Sequence, residues 1–224
     1  MDEITRIKQT YDSRKLDHRV IRAQKNIYYA YFTQMERELI YLQILKKHHK
    51  DLSQIKLMEI GAGTGGNLLF FYRIGIPWKN IWANELLEER AAVIRKDFPA
   101  VHLHVGNALD LPFENFFDVT FQSTVFTSIL DTQFKKNLAV KMLDMVNPGG
   151  MVLWYDFVYD NPKNKEVKGI PRREIKELFS DAGKIKFYSV TLAPPIGRLV
   201  GKWYNVINTL FPFLKTHVIA EIHK

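Results

Sequence analysis

The sequence predicts an α/β fold, a mostly parallel sheet with helices on both faces, and three observations carry that prediction. Short apolar runs recur near residues 55–60, 80–85, 101–105, 117–122 and 150–157, with segments of helical spacing between them. That alternation is what a parallel sheet requires. A glycine-rich stretch, Gly61-Ala62-Gly63-Thr64-Gly65-Gly66, follows the first run directly and opens a helical pattern. The length of 224 residues suits one domain, 1–224, and 46% hydrophobic content supplies its core.

The elements follow in order. Residues 15–50 read as helical, because Ile27, Tyr28, Tyr31, Phe32, Met35, Leu39, Leu42 and Leu45 recur near helical spacing, so residues 1–50 form an N-terminal cap. The cofactor-binding core is expected over 51–192. Its first strand ends in Leu57-Met58-Glu59-Ile60, with a carboxylate just before the glycine turn. Gly61 and Gly63 let the backbone approach a ligand, since a Cβ would block it or forbid a positive φ. Glu59 selects among ligands: a carboxylate there repels a pyrophosphate and suits a group bearing an ammonium and a sulfonium. The second strand, Ile81-Trp82-Ala83-Asn84-Glu85, also ends in a carboxylate, and Leu86 follows it. Gly106-Asn107-Ala108-Leu109 is a turn after the third strand, and Phe117 to Ser123 is the fourth. Asn147-Pro148-Gly149-Gly150 ends a helix and resets the chain for a buried fifth strand, a structural role. Lys184 to Leu192 and Thr216 to Ile222 are further strands, with an insertion over 193–215 and a last strand over 216–224.

Composition narrows the function classes. There is no cysteine, hence no disulfide framework and no thiolate-held metal. The first residues lack the apolar run of a signal peptide and no stretch reaches membrane-spanning length, so a cytoplasmic protein is expected. The net charge of +8 lies in the flanks: +5 over 1–50, −3 over 51–159 and +6 over 160–224. Such a surface attracts an anionic acceptor, although a solvated basic face gives the same count. Nucleic acid is not expected, because no basic platform interleaves the aromatic residues. The aromatic run from Trp203 to Leu214 reads as a pocket lid, with peripheral membrane contact as the alternative. Gly61, Gly63 and Gly66 also spell the dinucleotide fingerprint, and Tyr159 with Lys163 supplies the letters of a reductase pair. Asn161-Pro162 inside that pair breaks the helix a reductase needs, so an NAD(P) oxidoreductase is the lesser alternative. A catalytically silent cofactor-fold partner protein is disfavoured, since every inferred cofactor position keeps a usable side chain.

The segment Leu57 to Leu68 resembles motif I of class I S-adenosylmethionine-dependent methyltransferases, and the later segments resemble the family's further motifs in order. The resemblance implies a Rossmann-like, seven-stranded sheet whose last strand inserts antiparallel, with S-adenosyl-L-methionine as cofactor and no metal. It assigns cofactor contacts to Glu59, Gly61, Ala62, Gly63, Glu85, Leu86, Asn107, Ala108, Leu109, Gln122 and Ser123. Glu85 would hold the ribose hydroxyls. Asn107 stands where the family has Asp, and its carbonyl can still accept from the adenine amino group.

The whole chain also resembles a bacterial subgroup associated with sugar and surface-polysaccharide pathways, through Thr124 to Asp131, Tyr155-Asp156-Phe157, Asn161-Pro162, Leu192-Ala193-Pro194-Pro195 with Arg198, and Leu214 to His217. It implies O-methylation of a sugar hydroxyl on a small-molecule or glycan acceptor, with anionic and lipid-linked acceptors included; a lipid- or quinone-like or other natural-product acceptor is the alternative. Tyr28, Tyr31, Ser128 and Arg198 are the expected acceptor contacts. Ligands bind beyond the carboxyl ends of parallel strands, so a reversed last strand starts His217 at the active edge. His217 is the first candidate base, because an unperturbed imidazole titrates near neutrality. Asp156 is the second, as base or as the group orienting His217. His48, His49, His102, His104 and His223 show no ligand constellation, and His18 in the cap is a possible visitor to the site.

Overall fold

The structure is a computed structural model that describes residues 2–12, 26–162 and 164–224. Part of the expected cap, with His18, and Lys163 of the reductase-like pair therefore lie outside the described residues. The strands are β1 (Leu57–Ile60), β2 (Ile81–Glu85), β3 (His102–Val105), β4 (Phe117–Ser123), β5 (Val146–Phe157), β6 (Lys184–Leu192) and β7 (Lys215–His223). They form one sheet in the order β3-β2-β1-β4-β5-β7-β6. Every pairing from β3 to β5 is parallel, and β7 runs antiparallel to both β5 and β6. Strand order reverses between β1 and β4, which opens a crevice at their carboxyl ends.

The described helices are α1 (Glu3–Asp12), α2 (Ile27–His48), α3 (Gly66–Arg73), α4 (Glu88–Asp97), α5 (Thr132–Asp144), α6 (Arg172–Leu178), α7 (Pro194–Val200) and α8 (Tyr204–Leu210). β5 is buried without a break from Gly150 to Asp156, as expected of a strand covered on both faces. One face packs Tyr41, Ile44, Leu45, Phe71 and Phe121, and the other packs Phe126, Leu138, Met142, Trp154 and Ile175. No described helix is long and apolar enough to cross a membrane.

Three details differ from the sequence expectation. The fifth strand begins at Val146: Val146 pairs with Phe117 and Met151 with Val119, so Asn147 to Gly150 form an irregularity within the strand. The apolar residues of α2 do not form one inward face, for Tyr41, Ile44 and Leu45 are buried while Ile27, Tyr28, Tyr31, Met35 and Leu39 are exposed. His48 and His223 do join a constellation. His48 Nε2 lies 2.6 Å and His223 Nε2 2.8 Å from Glu221 Oε1, while the Tyr188 hydroxyl donates to Glu221 Oε2 at 2.6 Å. Burial would raise the Glu221 pKa, but the bonds from Tyr188, His223, His48 and Lys47 outweigh it and hold the carboxyl at about 2. This cluster closes the edge of the sheet opposite the crevice.

Candidate active site

A cavity of about 540 Å³ lies at the carboxyl ends of β1, β2 and β4. Gly61 and Gly63, at φ +66° and +62°, turn the chain out of β1. A Cβ on Gly61 would strike Val125, whereas one on Gly63 would meet no atom within 4 Å and project into open space. The second position is a cradle that a side chain would fill. Ala62 and Thr64 complete this wall.

Glu59 lies behind the loop and is 1% exposed. Its Oε1 accepts from Asn67 Nδ2 at 2.7 Å, while Oε2 is buried with no hydrogen-bond partner. Burial pushes this carboxyl up to about 8 against the Asn67 bond, and the neighbouring Glu85 adds to the rise. A buried acceptor without a donor is costly, and Glu59, a predicted cofactor contact, stands behind the wall and does not itself line the cavity. Glu85 stands on the wall, its Oε2 accepting from Gly63 N at 2.7 Å and its Oε1 from Leu87 N at 3.0 Å. Burial raises its pKa, with both backbone donors opposing. It thus ties the β1 loop to the β2 tip and keeps unused lone pairs for a diol.

Leu86, Asn107, Ala108 and Ser123 also line the cavity. Asn107 Oδ1 accepts from Leu109 N at 3.1 Å, capping a short 3-10 turn, which leaves Leu109 behind the wall. Gln122 is likewise a support: its Oε1 accepts from Val125 N and its Nε2 donates to the Tyr155 carbonyl. Thr124, on the wall, holds φ +60°, a strained value for a β-branched residue.

The lid is α1, which supplies Ile4, Ile7 and Tyr11 to the cavity. Arg6 donates to the Ser128 carbonyl, Glu3 accepts from Leu130 N at 2.7 Å, and the Tyr11 hydroxyl lies 2.9 Å from Ser128 Oγ. Ser128 lies on the wall and also latches the lid. Tyr28, Tyr31 and Arg198 are not on the wall. The two tyrosines are 52% and 61% exposed, and Arg198 lies over the Tyr29 ring at 5.7 Å. The insertion 193–215 folds as α7 and α8 against α2 and β6, and none of its residues line the cavity. Arg37, which the sequence reading passed over, does line it, with its guanidinium 4.6 Å from the Tyr155 ring centre.

The two candidate bases part company at the sheet. Phe157 pairs with His217 and Asp156 with Val218, so Asp156 and His217 point to opposite faces and Asp156 does not orient the imidazole. His217 stacks on Tyr155 behind the wall. Burial and the Arg37 charge lower its pKa to about 4. Asp156 is fully buried beneath Thr127, a wall residue: Thr127 Oγ1 donates to Oδ1 at 2.6 Å and Thr127 N to Oδ2 at 3.2 Å. Burial pushes Asp156 up to about 7 against the Thr127 bonds. Tyr159 lies in a helix-free segment, which removes the reductase-like pair.

Residues 58–154 match the family model of a methyltransferase domain. No curated protein matches the chain significantly. Among solved structures, a Thermotoga maritima SAM-dependent methyltransferase, described as a possible histamine N-methyltransferase, superposes with a TM-score of 0.63 at 18% identity, covering 93% of this chain and 96% of its own. Phosphoethanolamine N-methyltransferase 2 of Haemonchus contortus, in complex with S-adenosyl-L-methionine, gives 0.59 at 17%, covering 81% of this chain, which spans only 51% of that one. The [4+2]-cyclase SpnF gives 0.59 at 14%, covering 84% and 81%. Residues 58–154 thus resemble a methyltransferase domain, and the chain has the fold of the SAM-dependent methyltransferases it superposes on.

Proposed function

We propose that the protein transfers the methyl group of S-adenosylmethionine to a hydroxyl of a small-molecule or glycan acceptor, most consistently a sugar, releasing S-adenosylhomocysteine. The donor reading rests on the complementarity of the wall. On the wall, Arg37 suits the carboxylate of an amino-acid moiety, the open space at Gly63 the close approach of the ligand, and Glu85 a ribose diol, while the Glu59 carboxyl buried behind the wall favours a cationic ammonium in front of it. When bound, the donor supplies an electrophilic methyl on a positively charged sulfur.

The observation that carries hydroxyl chemistry is the Thr127–Asp156 pair. An alcohol attacks in line only if its proton leaves during attack. Thr127 is a wall residue, 1% exposed, whose hydroxyl proton is already directed to Asp156 Oδ1, which leaves the Oγ1 lone pairs to accept. The acceptor proton passes to Thr127 Oγ1 as the threonine proton passes to the carboxylate. A group titrating near 7 suits this task better than His217 near 4, which also sits beside the Arg37 cation. Alignment of donor and acceptor under α1 supplies much of the acceleration. The hydroxyls of Tyr11, Thr127 and Ser128 suit a polyhydroxylated acceptor, and the basic flanks suit one bearing phosphate.

The test is product mass after incubation with methyl-labelled donor and a metabolite extract of the native host. A labelled sugar methyl ether is the expected outcome. Label on nitrogen or carbon would overturn the hydroxyl reading.

A further inference from the structure

On the side of the molecule formed by α2, α7 and α8 lies an apolar surface that the cavity does not use. Leu199 is 86% exposed, Phe213 76%, Leu210 65%, Ile27 62%, Tyr31 61% and Trp203 60%. These residues belong to one surface, because α7 and α8 pack on α2 and the Phe32 ring stacks between Tyr28 at 6.2 Å and Tyr204 at 5.9 Å. So many large apolar side chains on one face exceed the scattered exposure normal for a surface, and such patches mark interaction sites.

Charge identifies the occupant. The segment 193–215 contains no Asp or Glu but carries Arg198, Lys202 and Lys215. Arg198 and Lys202 are exposed, and Lys202 Nζ lies 5.8 Å from the Trp203 ring centre, with cation and indole side by side. Among the described residues, the nearby carboxylates of α2 are engaged elsewhere. Glu36 accepts from Thr191 N, the Tyr204 hydroxyl and Asn208 Nδ2 and pairs with Lys215, while Glu38 pairs with Arg73. A second copy docking through the same face would set Arg198 and Lys202 against their own counterparts. Exposed Leu and Phe beside Trp, Tyr and Lys are instead the composition that settles into a headgroup boundary, where apolar tips enter the acyl region and cations meet lipid phosphates.

From this pattern of apolar projection and one-signed charge we infer that the α2–α7–α8 face seats the protein on an anionic lipid surface. The seat does not depend on the methyl-transfer reading, since the cavity opens elsewhere and contributes none of these side chains.

Co-sedimentation tests it, with vesicles of phosphatidylcholine alone beside vesicles of equal parts phosphatidylcholine and phosphatidylglycerol. The full chain is expected to pellet with the mixed vesicles only, and less so as salt rises. Lys202→Gln should weaken partitioning about fivefold, the worth of one surface cation. Leu199→Glu with Phe213→Glu should abolish it while leaving the melting temperature nearly unchanged, because both side chains stand in solvent. Absence of pelleting with the mixed vesicles overturns the proposal, as does pelleting that these variants leave intact. So does a concentration-dependent dimer that the double variant disperses, since the face would then join two copies of this chain.

Discussion

Glu85→Gln separates the two tasks that the geometry gives one carboxylate. In the parent, Oε2 accepts from Gly63 N at 2.7 Å and Oε1 from Leu87 N at 3.0 Å. An amide keeps one acceptor oxygen and turns an NH₂ toward the other donor, leaving a backbone N–H unpaired. An unsatisfied buried group costs about 1–3 kcal/mol. At roughly 2–4 °C per kcal/mol for a chain of this size, the melting temperature should fall by about 2–12 °C. The ribose diol loses a charged acceptor in the same step, a bond of about 1.5–3 kcal/mol, so donor affinity should weaken by roughly 10–100-fold. Circular dichroism reads the first effect and calorimetry with S-adenosylhomocysteine the second. A folded variant with parental affinity would refute the ribose assignment, and an unchanged melting temperature would refute the role of Glu85 in tying the β1 loop to β2.

Four further outcomes follow from the same structure. The rate should rise with pH through about 7, because Asp156 must be ionised to take a proton and its pKa stands there; Asp156→Asn and Thr127→Val should each lower kcat by roughly 10²-fold or more and remove that rise, whereas His217→Gln should keep it. Arg37→Ala should weaken the donor by about tenfold or more with little change in acceptor KM if the guanidinium meets the donor carboxylate, and calorimetry beside steady-state kinetics distinguishes the two. Arg6→Ala frees α1 from the Ser128 carbonyl and should raise the acceptor KM several-fold while leaving the fold intact. Glu221, depressed to about 2 in the folded state from an ordinary 4.5, contributes stability that is complete above 4.5 and lost as pH falls toward 2; Glu221→Gln should lower the melting temperature at neutral pH by about 5–10 °C and flatten that acid limb.

The parts of this account legible in the sequence are those fixed by short-range pattern. β1 and β2 end in carboxylates beside turn residues, and that order placed Glu59, Glu85 and the glycine loop at one edge. The family resemblance implies an antiparallel last strand, and β7 inserts antiparallel between β5 and β6. Three things depended on long-range register instead. Asp156 and His217 looked like neighbours, yet a pairing of Phe157 with His217 sends them to opposite faces. His48, Glu221 and His223 meet only because α2 ends beside the last residues of β7. The insertion could pack on α2 or over the cavity with the same composition, and it took the former. Two further features carry a local signal in the sequence. Ile4, Ile7 and Tyr11 recur at helical spacing, which marks the α1 lid. Arg37 lies one turn from Thr33 and from Tyr41, both buried, so its charge falls on the inward side of α2.

The most direct test of the central claim is calorimetric titration of the protein with S-adenosylhomocysteine and, separately, with NAD. The account predicts saturable one-to-one binding of the first, no heat from the second, and loss of the first in a folded Gly63→Val variant, whose side chain would occupy the open space beside the loop. Saturable binding of NAD, no binding of S-adenosylhomocysteine, or parental affinity in Gly63→Val would contradict it.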